Sequence, residues 1–231
     1  MKKYYSQYAQ DRFINMLFKK KGNGVFLDIG AHDGVALSNT YFFEKNKKWT
    51  GLCIEPMPLI YEKLSQNRSC VLENCCISDK DGMLTFRQIT GYPEMLSGIL
   101  DFFDDKHLNR IEKEISIYGG SYKDIELPSK NINGLLQQYG IDQIDYCSID
   151  TEGAEYKIIQ SIDFEKIKIA SFTVENNNKD NLVRDFLKKK GYRCFAGISD
   201  DFFIKKEVSG YFIFSLAVFF HKIYWKIKHK F

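Results

Sequence analysis

Proline is rare, with 4 in 231 residues, and no stretch rich in proline, glycine and serine divides the chain. A flexible linker is therefore excluded, and the length suffices to bury one sizeable core. Hydrophobic residues at 44% and charged residues at 27% exclude a disordered chain. Charge of one sign is also scarce: the net charge is +3, and Lys222, Lys226, Lys228 and Lys230 fall in the last ten residues. Residues 1–207 are thus near neutral, which argues against the basic face of a nucleic-acid binder. The six cysteines, Cys53, Cys70, Cys75, Cys76, Cys147 and Cys194, form no C-x-x-C pair and no metal-ligand spacing. They read as buried thiols in a reducing compartment. No apolar stretch follows the lysines of "MKKYYSQYAQDRF", so no signal peptide is visible and a cytoplasmic location is expected.

What is present is alternation. Apolar, β-rich runs predict strands near 24–29, 51–55, 70–76, 144–149 and 169–175. Between them "TYFFEK", "PLIYEKLSQN", "AEYKIIQSI" and "NLVRDFLKKKGY" each carry apolar residues on one helical face, and Phe13, Ile14, Leu17 and Phe18 predict a helix before the first strand. Such alternation with short connections implies a parallel sheet covered on both faces, a doubly wound α/β domain. Residues 82–127 interrupt it with "GMLTFRQI", the turn-prone "GYPEMLSG" and the charged helix "DDKHLNRIEKEI". They read as a cap inserted between the third and fourth core strands. "GYRCFAGISDDFFIKK" reads as a hairpin closing the sheet edge. The expected organisation is one domain over 1–207 and a separate tail over 208–231.

Ligands of such sheets bind beyond the carboxyl ends of the strands, beside the first one. There stands "VFLDIGAHDG". Gly30 lets the chain turn with its backbone amides exposed, and Gly34 allows close approach of backbone or ligand. The G-x-G-x-x-G pattern of a dinucleotide site is missing, which disfavours pyrophosphate, whereas Asp28 suits a ligand bearing a cationic ammonium. Glu55, closing "GLCIEP", can accept two hydrogen bonds from a ribose diol.

Together "SQYAQDRF", "FLDIGAHDG", "SNTYFFE", "CIEPMP", "NCCISD", "LSGI", "HLNRI", "IDYCSIDTEGAEYKII" and "FTVENN" resemble, in order over about residues 6 to 206, the FkbM family of S-adenosylmethionine-dependent O-methyltransferases. The resemblance implies a Rossmann-like methyltransferase fold whose seven-stranded sheet ends in an antiparallel strand. It further implies that Asp28, Gly30 and Gly34 surround the methionine part of the cofactor, Glu55 its ribose, and Ser78 with Asp79 the adenine edge. His32, inside the turn, is placed to face cofactor or acceptor. The acceptor implied is a hydroxyl of a sugar or similar polar metabolite, nucleotide-linked or lipid-linked, in surface-polysaccharide synthesis. A non-sugar acceptor and a catalytically silent binding or scaffold protein are the alternatives. A nucleic-acid amino methyltransferase would want a "[DN]PP[YF]"-like turn after the fourth strand, where "DTEG" stands.

Methyl transfer to oxygen needs positioning and a group that takes the hydroxyl proton. Asp150 ends the fourth strand, facing the expected place of the methyl. Glu152 and Glu155 follow, with Thr151 as N-cap of the next helix. As charges at a helix N-terminus these acids also have a purely structural use, the one preferred for Glu155. His107, in the cap, is a second base candidate because imidazole titrates near neutrality. Asp150, with Glu175 and Asn176 after the fifth strand, resembles the magnesium site of catechol-type O-methyltransferases, with glutamate for the usual aspartate. These hard oxygen ligands suit Mg²⁺ or Mn²⁺.

The tail "GYFIFSLAVFFHKIYWKIKHKF" has an uncharged run over 211–220, then lysines among aromatics. Ten residues are too few for a bilayer span. The pattern fits an interfacial helix, a helix docked on a partner, or one packed on its own domain.

Overall fold

A computed structural model of the protein describes residues 3–19, 21–176 and 179–228. Its centre is a seven-stranded sheet of β1 (Val25–Ile29), β2 (Thr50–Ile54), β3 (Val71–Glu73), β4 (Tyr146–Ile149), β5 (Ser171–Glu175), β6 (Tyr192–Ala196) and β7 (Asp200–Lys205). Their spatial order is β6-β7-β5-β4-β1-β2-β3, with β7 antiparallel to both neighbours and the other pairings parallel. This is a Rossmann-like class I methyltransferase sheet. Chain order reverses at the β1–β4 junction, where a crevice opens beyond the carboxyl ends of both strands.

β1 shows why the sheet forms. Its side chains alternate, Phe26 into one core and Leu27 with Ile29 into the other, so both faces need cover. On the Phe26 face pack α1 (Gln10–Leu17), α2 (Tyr41–Lys47) and α8 (Tyr211–Lys228), through Phe13, Ile14, Phe42, Phe43, Phe214 and Val218. On the Leu27 face pack α5 (Ile132–Gln138), α6 (Glu155–Ser161) and α7 (Leu182–Lys189). Between β2 and β3, α3 (Pro58–Asn67) starts with proline at its first turn, where no amide partner is needed. The tail helix therefore contributes two fully enclosed side chains to the core, packed on α1 with the rings of Phe13 and Phe214 at 6.2 Å.

The predicted third strand over 70–76 divides in two. Asn74 donates through its amide to the carbonyls of Glu55 and Pro56, which turns the chain after Glu73. Cys76–Ser78 then leaves the main sheet and pairs with the long strand Ser121–Asn131 of a four-stranded cap sheet. Gly82–Thr90 and Gly98–Ile99 complete that sheet. Between its strands runs α4 (Asp105–Tyr118), started by Asp104, whose carboxylate accepts from the His107 amide.

Candidate active site

The crevice is a cavity of about 270 Å³ between the ends of β1, β2, β4 and β5 and the cap. The turn after β1 forms one end. Gly30 has φ +85°, and a Cβ there would lie 1.7 Å from the Asp150 carbonyl oxygen, so only glycine lets β1 and β4 approach this closely. The turn's amides are not exposed as predicted. Those of Gly30 and Ala31 both donate to the Ile54 carbonyl, and that of His32 donates to Glu55 Oε2 at 2.9 Å. Gly34, φ +79°, faces away from the cavity, and a Cβ on it would meet Leu64 at 2.5 Å and Arg68 at 2.6 Å. Its use is packing α3.

Asp28 and Glu55 line this end, both buried. Burial raises the Asp28 pKa, and Arg68 with the Thr40 hydroxyl donating at 2.6 Å opposes that. Glu55 is pushed up to about 7 by burial, against two backbone amides, those of Met57 and His32, that favour its charged form. His32 holds φ +50°, with its ring between Glu94 at 3.6 Å and Asp33 at 3.9 Å. Asn39 donates to Ser148 Oγ at 2.9 Å and leaves its Oδ1 buried without a partner in the cavity wall. Cys75, Cys76 and Ile77 form the apolar side. Ser78 and Asp79 lie outside the lining: the Ser78 hydroxyl is bound to Ser129 and the Lys80 carbonyl, and the Asp79 carbonyl accepts from Asn131. Ser78 pairs with Asn131 in the cap sheet, and Asp79 follows it on the exposed surface.

The other end is acidic. Asp150 follows β4 with its amide donating to the Ile29 carbonyl, and its carboxylate is open to the cleft. Glu152, φ +54°, and Glu175, at the end of β5, converge on it, and one carboxylate oxygen from each lies within 4.8 Å of the others. Asp200 stands opposite Glu175 in the β5–β7 register and accepts from the Gln10 amide of α1 at 2.8 Å. Desolvation and mutual repulsion raise these pKa values: Asp150 and Glu175 well above the carboxylate range, Glu152 to about 8. The Asp150 and Glu175 carboxylates lie close enough for each to raise the other's proton affinity, so the two titrate as a pair.

Several predicted roles change. Asn176 does not line the cavity; its amide donates to Asp201 Oδ2 at 2.8 Å and to the Asp180 carbonyl, in a network with Arg184. Glu152 joins Asp150 and Glu175 there. Thr151 is not the N-cap of α6, which starts after Ala154; its amide and hydroxyl both donate to Glu155, giving that acid the structural role preferred for it. His107 does not line the cavity. Its Nε2 lies 3.0 Å from the Leu96 carbonyl, which makes Nε2 the protonated nitrogen, and Nδ1 lies 3.6 Å from Glu152. Burial lowers its pKa, which favours the neutral ring.

Gln10, Asn39, Arg110, Ser148 and Asp200 line the cavity without having been predicted. A signal existed for Ser148, two residues before Asp150 on the same strand face. None existed for Asp200, brought in by the antiparallel strand β7.

The FkbM methyltransferase domain is matched over residues 28–194. The chain belongs to this family. The methyltransferase sdnD of Sordaria araneosa is 26% identical over 195 residues, 74% of each chain. Among solved structures, a Pyrococcus furiosus methyltransferase covers 84% of this chain and 82% of its own at 13% identity and TM-score 0.39. The precorrin-6y C5,15-methyltransferase of Geobacter metallireducens covers 86% of each at 14% identity and TM-score 0.40.

Proposed function

We propose that the protein is an S-adenosylmethionine-dependent O-methyltransferase whose acceptor is a hydroxyl on a sugar or similar polar metabolite, nucleotide-linked or lipid-linked, in surface-polysaccharide synthesis. The reading is carried by the converging carboxylates of Asp150 and Glu175 at the ends of β4 and β5, beside the Gly30 turn. S-adenosylmethionine, when bound, supplies a methyl on a cationic sulfonium, already reactive without further activation. The residues of the turn fit it: Asn39 Oδ1 is an orphaned acceptor for an ammonium, and Glu55 is held for a ribose diol. At the acidic end the carboxylate of the pair accepts the acceptor's hydroxyl proton. Burial and the neighbouring carboxylates raise its proton affinity, which suits it to that step.

The three carboxylates also fit a hard divalent cation, Mg²⁺ or Mn²⁺, with Asp150, Glu152 and Glu175 as ligands. Such an ion would lower the hydroxyl's pKa and orient it. The test is labelled methyl transfer across a panel of nucleotide-linked sugars, with and without EDTA. Loss in chelator with recovery in Mg²⁺ or Mn²⁺ assigns the cation. Full activity in chelator leaves the carboxylate pair alone as base. No transfer to any acceptor, with S-adenosylhomocysteine still bound, would make the protein a binding module of the same fold.

A further inference from the structure

Helix α8 has two apolar faces, of which the fold uses one. Phe214 and Val218 are enclosed against α1. On the opposite side Phe212, Leu216, Phe219, Ile223 and Ile227 follow at spacings of four, three, four and four, one stripe along the axis. Phe212, Phe219 and Ile227 are 66%, 58% and 61% exposed. A monomeric protein rarely leaves such a stripe in water. At about 1.5 Å per residue the helix is about 27 Å long, and no helix among the described residues is long and apolar enough to cross a membrane.

We infer that this outer stripe docks on an anionic lipid surface, lying in its interfacial layer. Charge decides the occupant. Lys222, Lys226 and Lys228 are the only fully charged side chains of α8, and no acid follows Glu207 in the sequence. A second copy seated on the stripe would bring lysines near lysines with no carboxylate from either helix to meet them. An anionic headgroup layer supplies the missing charge above an apolar layer that receives the phenylalanines, and Tyr224 is an amphipathic ring suited to that boundary. The helix also adjoins the acidic end of the cleft: the rings of Tyr8 and Trp225 meet at 6.0 Å, and His221 and Lys222 line a small gap with Gln10 and Asp200.

The full chain is sedimented with phosphatidylcholine vesicles containing about one-third phosphatidylserine, and with pure phosphatidylcholine vesicles. It pellets with the first, weakly with the second, and is released as salt shortens the screening length from about 10 Å to about 3 Å. Phe219→Asp with Ile223→Asp lowers partitioning at least about tenfold, and Lys226→Gln with Lys228→Gln roughly thirtyfold. Unchanged thermal melts show that both pairs leave the fold intact, since none of the four side chains is buried. Failure of the full chain to pellet with anionic vesicles overturns the inference, as does equal binding to neutral ones. A light-scattering dimer abolished by the aspartate pair would assign the stripe to a second copy instead.

Discussion

At the glycine-turn end of the cleft, Asp28 and Glu55 are buried and each receives donors: Thr40 for Asp28, and the amides of His32 and Met57 for Glu55. At the acidic end, Asp150, Glu152 and Glu175 face one another, and the nearest cation, Arg110, stays 4.0 Å from Glu152 and leans on Glu114. In the first arrangement donors fix each carboxylate and oppose the rise in proton affinity that burial causes. The second raises proton affinity and stores repulsion, which a proton, a cation or a reacting hydroxyl relieves. Preorganised binding and proton chemistry are thus separated along one crevice by how each carboxylate is solvated by the protein.

That contrast can be tested in order of expected effect. Gly30→Val is the largest: its side chain cannot coexist with the Asp150 carbonyl 1.7 Å from the Cβ position. Binding of S-adenosylhomocysteine is expected to vanish in calorimetry, and retained binding would show that the turn does not hold the ligand. Asp150→Asn should lower methyl turnover by about 10²–10⁴ while leaving that affinity within a few fold, the split expected of a proton-handling group. Equal losses in both would merge the two ends into one binding site.

Glu152→Gln probes stored repulsion. Its folded pKa of about 8 lies above the unfolded value near 4.5, so folding favours the protonated form. Stability from this group is full below pH 4.5 and lost as pH rises to about 8. The glutamine variant should match the parent at pH 5 and exceed it by about 1–3 kcal/mol at pH 8.5 in urea unfolding. A variant less stable at both values would make Glu152 a net structural contributor. The smallest effect belongs to Ser78→Ala, which removes hydrogen bonds within the cap and is expected to cost about 1 kcal/mol of stability with cofactor affinity unchanged. A tenfold fall in affinity would return Ser78 to the adenine edge.

The sheet, its flanking helices and the strand-end positions of Asp28, Glu55, Asp150 and Glu175 are legible in the chain, because alternating apolar patterns and strand ends are local properties. So is Gly30, since a tight turn after an apolar strand announces itself. Only the tertiary structure decided which carboxylates meet. Glu152 enters the cluster because its backbone takes a left-handed turn, the Asn176 amide is drawn to Asp201 on a neighbouring strand, and Asp200 arrives from the antiparallel strand β7. Likewise Gly34 and Ser78 look like ligand residues in one dimension and face α3 or the cap sheet in three. Hydrogen-bond partners distant in the chain settle such choices, and spacing along one strand carries no record of them.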